Sequence, residues 1–229
     1  MMISPVSEFL IFRLKELFII LHTGGLKKQF LHLALLLLLF PFTSILNSQS
    51  QAYPSDPYLK QWKDFSLSGE SEEFKEYLRC QLLRSGCVLP DSLPKISFEH
   101  AYFITLVKKN RNRGCFGAFH HRERNFHRLI KRYIRGALRE DPRSIPLQRD
   151  EFDDVRIYLS IGTQPKPAEK FPDTKKDGIV FHYSENRQEI YIPGEIRGEV
   201  SLSKMINSKK PEEIRIFEAF VWQIPFRAQ

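Results

Sequence analysis

The chain has 229 residues, 42% of them hydrophobic and 13% aromatic, with 27% charged residues and a mean hydropathy of −0.34. That balance excludes a disordered chain and a multi-span membrane protein, and it supplies one ordinary core. The formal charge is +8; residues 1–52 carry four Lys/Arg and two Asp/Glu, so the remainder keeps 31 basic against 25 acidic side chains, a surplus suited to anionic partners.

Lys27-Lys28 precede a near-continuous apolar run from Phe30 to Leu46, followed by small and polar residues to Ala52. Positive, apolar, then small-polar is the order of a secretory signal peptide or membrane anchor. It leads us to expect an exported or cell-envelope protein, periplasmic if bacterial, and a cytoplasmic one if the segment is not a working signal. Leu26 is a candidate for the true start, since no Met lies between Met2 and Met205. Three cysteines are too few for a disulfide scaffold. Cys80 and Cys87 on one continuous helix would stand roughly 10 Å apart, too far to bridge, but Gly86 would end that helix, so their pairing stays open.

The polar, proline-containing stretch 53–71 reads as a linker, and residues 72–229 as one domain. A helix is expected near Glu72–Arg84, with Phe74, Leu78 and Leu82 on one face. Tyr102–Val107 and Gly114–Phe119 read as a hairpin across a charged turn. Glu123–Leu138 is the clearest helix, with Phe126, Leu129, Ile130, Tyr133, Ile134 and Ala137 at helical spacing and Asp141-Pro142 behind it. Further strands are expected at 155–161, 178–183, 189–192 and 214–222, a short helix at 201–207, and a long loop at 163–176. The fold class is α+β.

Three features carry chemistry. In Arg113-Gly114-Cys115-Phe116-Gly117, the glycines permit close approach of backbone, Arg113 offers a planar fork to an anion, and Cys115 is a candidate nucleophile with His120 first, and His121 or His127 as alternatives, for its base. Arg113, Gly114 and Gly117 are thus the expected ligand-binding residues. From Lys108 to Arg139 eleven basic residues face one acid; Arg124, Arg128, Lys131, Arg132 and Arg135 form a basic stripe largely off the apolar helix face. His120, His121 and His127 have no carboxylate or cysteine at a diagnostic spacing, so no metal is expected, and no nucleotide or flavin fingerprint implies a cofactor.

The stretch AYFITLVKKNRNRGCFGAF resembles the signature of the AMMECR-type domain, and REDPRSIPLQRDEFDDVRIYLSI, KKDGIVFHYSENRQEIYIP and EEIRIFEAFVW resemble its later segments in order. The matching positions are Arg113, Gly114, Cys115, Gly117, Asp141, Pro142, Arg143, Asp177, Gly178 and Pro193. Asn112 and Phe116 stand where the family usually has Leu and Ile, and the stretch from Pro193 to Ile214 lacks its Trp. The resemblance implies a mainly antiparallel sheet with flanking helices, a larger and a smaller lobe, and an Arg-Gly-Cys segment that lines a cleft. For bacterial and archaeal members it also implies radical-SAM and Memo-type partners. It does not decide whether the domain is an enzyme. Two functions compete: a small anionic ligand bound beside Arg113 and Cys115, or a non-enzymatic envelope module whose basic helix meets an acidic envelope component or protein. Nucleic acid is the least favoured partner.

Overall fold

The computed structural model describes residues 54–83, 86–184 and 187–225, all within one unit of the chain. The export-like segment lies outside the described residues.

The stretch 53–71 is not a linker. Asp56 opens helix α1 (Pro57–Leu67): its carboxylate accepts the N–H groups of Tyr58 and Leu59 at 2.9 and 3.0 Å, and Pro57 needs no such partner. Leu59, Trp62 and Phe65, three apart, bury one side of α1. Polar residues between them hide that spacing in the sequence. Helix α2 (Ser71–Leu83) adds Phe74, Tyr77, Leu78 and Leu82 to the same core. Cys80 and Cys87 are joined by a disulfide, with Cα atoms 5.9 Å apart. Bridging is feasible because α2 ends at Leu83 and Gly86, at φ 84°, turns the chain back.

Strands β1 (Ala101–Lys108) and β2 (Arg111–Ala118) form the expected hairpin, across a turn with Lys109 and Asn110 both at positive φ, 48° and 61°. Helix α3 (Phe126–Arg139) follows, capped by the Asn125 side chain, which accepts the Arg128 N–H at 3.0 Å. A 3₁₀ turn (Arg149–Asp154) leads into β3 (Val155–Gly162). The long loop carries the two-residue strand β4 (Lys166–Pro167). Strands β5 (Asp177–His182) and β6 (Gln188–Tyr191), helix α4 (Gly198–Lys209) and strand β7 (Glu213–Pro225) complete the chain.

The sheet is antiparallel, in the order β2-β1-β3-β7-β5-β6, with β4 on β7. Strand β7 is its spine: the half from Ala219 pairs with β3, and the half before it pairs with β5. The larger lobe packs α1–α3 on β1, β3 and the end of β7, with Tyr102, Ile104 and Leu106 facing the helices. Alternate β1 residues, Ala101 and Phe103, face the other way and meet Phe119, Val180 and Phe217. The smaller lobe packs α4 on β5 through Ile179, Phe181, Ile196 and Leu202. The fold is the expected α+β.

Two glycines set how closely α3 lies on β2. A Cβ at Gly114 would stand 1.8 Å from the Ala137 carbonyl oxygen, and one at Gly136 2.3 Å from the Phe116 ring. Gly114→Ala should therefore cost about 2–3 kcal/mol in urea unfolding, whereas Gly69→Ala, which meets nothing within 4 Å, should change stability by less than about 1 kcal/mol.

Candidate functional site

The register of β1 with β2 slips by one residue. Leu106 pairs with Gly114, but Val107 pairs with Asn112, so Arg113 is an extra, bulged residue. In a regular strand Arg113 and Cys115 would share a face. Here the bulge puts Asn112 on the side of Cys115 and turns Arg113 toward Lys108, in line with the helix-facing residues of β1. Both arms of the Arg113 guanidinium bind Glu151, at 2.7 and 3.0 Å, and Lys108 Nζ reaches the same carboxylate at 3.1 Å. Hydrogen bonds from Arg113, the Gln148 backbone and Lys108 hold Glu151 down at about 2. Arg113 thus spends its fork on an internal carboxylate, away from Cys115.

A different set of groups surrounds Cys115. Its thiol accepts a hydrogen bond from Thr105 Oγ1 at 3.2 Å, and its backbone N–H donates to Asp141 Oδ2 at 2.8 Å. Asp141, just past the end of α3, has a side chain only 3% exposed. It also accepts the Arg143 N–H at 3.0 Å and the Arg143 guanidinium, from Nε at 3.1 Å and Nη2 at 3.4 Å. The Arg143 side chain is 45% exposed, and its Nη1 edge has no partner among the described residues. Glu195 closes the set from the turn after β6: it accepts Asn112 Nδ2 and the Ile192 N–H, each at 3.2 Å.

These environments decide the charges. Burial pushes the Cys115 thiol up to about 11; Thr105 opposes this, Glu195 and Asp141 add to it, and Arg143 offsets part. Burial would raise Asp141, but the hydrogen bonds from Arg143 and the Cys115 backbone hold it below the usual carboxylate range. Burial raises Glu195, with Arg143 pulling the other way. At neutral pH the site therefore holds a neutral thiol and an ionised Asp141–Arg143 pair.

The histidines lie elsewhere in the hydrogen-bond pattern. His120 is exposed beyond the end of β2, and no contact joins it to Cys115. Buried His121 is held between the Tyr133 hydroxyl at 2.6 Å and the His100 carbonyl at 2.7 Å, and burial lowers its pKa. His127 Nδ1 meets the Tyr77 hydroxyl at 3.0 Å. Among the described residues no three His, Cys, Asp or Glu side chains converge as metal ligands. On α3, Arg128, Lys131, Arg132, Arg135 and Arg139 are exposed, while Arg124 lies over the Phe98 ring at 5.6 Å.

The AMMECR1 family model matches residues 63–209. The chain belongs to the AMMECR1 family. A protein of Methanothermobacter thermautotrophicus is 37% identical over 82 residues, 35% of this chain and 42% of that one. A protein of Thermotoga maritima is 32% identical over 105 residues, 43% of this chain and 60% of that one. The chain thus spans about half the length of these two relatives. The crystal structure of an uncharacterized protein from Pyrococcus horikoshii has a similar fold, with a TM-score of 0.51 and 17% identity over 69% of this chain and 92% of that one.

The AMMECR1 motif positions divide by what they do here. A Cβ at Gly117 would meet the Tyr102 carbonyl at 2.2 Å, and one at Gly178 the Phe217 ring at 2.1 Å, so both glycines serve packing, as Gly114 does. Cys115, Asp141 and Arg143 come together although 26 residues separate the first two. Sequence reasoning missed Glu195, because a carboxylate in a Pro-Gly-Glu turn reads as an ordinary surface residue.

Two outcomes check this electrostatic arrangement. Iodoacetamide should modify Cys115 in the folded protein far more slowly than the same thiol in denaturant at pH 8, with the rate rising toward pH 11. Asp141→Asn should cost about 1–3 kcal/mol at pH 7, because an amide NH2 replaces the oxygen that accepts the Cys115 N–H and Arg143 Nη2. Because the folded pKa of Asp141 is depressed, its contribution is present above the unfolded carboxylate pKa and lost as pH falls through the folded one. The variant should accordingly lose less stability than wild type on acidification.

Proposed function

We propose that this AMMECR1 domain binds a small ligand carrying a carboxylate or phosphate at the Cys115 site, with Arg143 as the group that reads the anion. The observation that carries this reading is the half-exposed Arg143 guanidinium. Asp141 fixes it through Nε and Nη2 while its Nη1 edge has no partner among the described residues. A guanidinium pre-oriented in that way loses little freedom on meeting a planar or tetrahedral anion. Arg113, the anion reader expected from the motif, is replaced in this reading because Glu151 already occupies its fork.

The neighbours fit a bound anion. Burial raises the Glu195 carboxyl, which lessens its repulsion of an anion, and Asn112 Nδ2 and the neutral Cys115 thiol offer weak polar contacts. With its pKa raised and no base in contact, Cys115 lines the site rather than resting as a thiolate nucleophile. The Cys80–Cys87 bridge supports maturation in an oxidising compartment, in keeping with the export-like order of residues 27–52.

Amide NMR titration with inorganic phosphate and with succinate tests the proposal. Either anion should move the Cys115, Arg143 and Asn112 signals saturably, and the shifts should vanish in Arg143→Gln but persist in Arg113→Gln. Shifts that persist in Arg143→Gln, or none in the wild type, would remove Arg143 from the role.

A further inference from the structure

The basic stripe of α3 takes no part in the Cys115 site. Arg128, Lys131, Arg132, Arg135 and Arg139 project from the side of α3 opposite Phe126, Leu129, Ile130, Tyr133 and Ile134, and none forms an ion pair among the described residues. Arg79 and Lys75 on α2 pair with Glu76 and Glu72, and Lys209 on α4 pairs with Glu189, so a cation with an acidic partner is the common pattern on the other helices. A row of unpaired like charges repels itself and is costly without an anionic counterpart.

The place where the chain enters the domain narrows the partner. Asp56, the cap of α1, is 3.3 Å from His100 Nε2; the His100 carbonyl meets His121, and Arg124 lies over Phe98. The first described turn is held to β7, where Ser55 N–H and Oγ donate to Glu218 at 2.5 and 2.6 Å, and Tyr58 just after it meets Tyr102, whose ring lies 5.4 Å from Phe126 at the start of α3. Only ten residues, 47–56, separate α1 from the apolar run that ends at Leu46, a contour of at most roughly 35 Å.

We propose that the exposed face of α3 docks the domain on a membrane surface rich in anionic lipid. The apolar run would bring the chain to the bilayer, and Arg128, Lys131, Arg132 and Arg135 would meet the headgroups. Juxtamembrane basic clusters act in this way, through charge that salt screens within a Debye length of roughly 10 Å.

Co-sedimentation of the full chain tests it, using vesicles of phosphatidylcholine alone or with about 30 mol % phosphatidylglycerol, at low and high salt. Apolar insertion would be the same on both vesicles, so the excess binding to the anionic ones is the readout. That excess should disappear at high salt. It should fall roughly a hundredfold or more in the variant with Arg128, Lys131, Arg132 and Arg135 all changed to Gln. A charge-matched variant with Lys166, Lys170, Lys175 and Lys204 changed to Gln, all exposed elsewhere, should keep it. Equal binding to both vesicles, an unchanged excess in the α3 variant, or an equal loss in the control would overturn the proposal. So would a short DNA duplex that displaces the protein from anionic vesicles at equal charge concentration.

Discussion

The carboxylate of Asp141 ties together three parts of the larger lobe that share no sequence proximity. It follows α3 directly, it caps the outward-facing N–H of Cys115 on edge strand β2, and it holds both the backbone and the guanidinium of Arg143. A buried carboxylate is tolerated only when its oxygens are fully used, and these are. The same bonds protect an exposed sheet edge, fix the start of the loop after α3 and orient an arginine. Each would be incomplete without the others.

The bulge at Arg113 works against a regular strand and for the site. By inserting one residue it turns Arg113 away from Cys115 to Glu151, which Lys108 shares, while Asp141 independently holds Arg143. The glycines around it do mechanical service. Gly114 lets the α3 backbone come down onto β2, and Gly117 lets Phe103 and the β1 backbone close over the other end. The Arg113–Gly117 segment is thus, in this chain, mostly a packing joint.

Much of the fold was legible in the sequence. The alternation of β1, the 3.6-residue spacing of α3 and the hairpin turn are local patterns, and the resemblance carried the order of the later strands. Helix α1 was not legible, because Leu59, Trp62 and Phe65 stand among Lys, Asp and Gln in a proline-containing stretch, and its stability comes from burying Trp62 in the larger lobe. Of the site, Cys115 and the Asp-Pro-Arg segment could be named in advance but not joined, since their contact depends on how α3 crosses β2. The fate of Arg113 depended on a one-residue slip in register, which no composition or spacing reveals. Glu195 entered only through the turn after β6.

The most direct test of this account is the titration of the Asp141 carboxyl carbon, followed by ¹³C NMR in the folded protein. If Asp141 is the buried anion described above, held by four hydrogen bonds from Cys115 and Arg143, its signal should titrate clearly below the ordinary aspartate range, and the Cys115 amide signal should move with it. A midpoint at or above that of an exposed aspartate, or a Cys115 amide indifferent to it, would contradict the account.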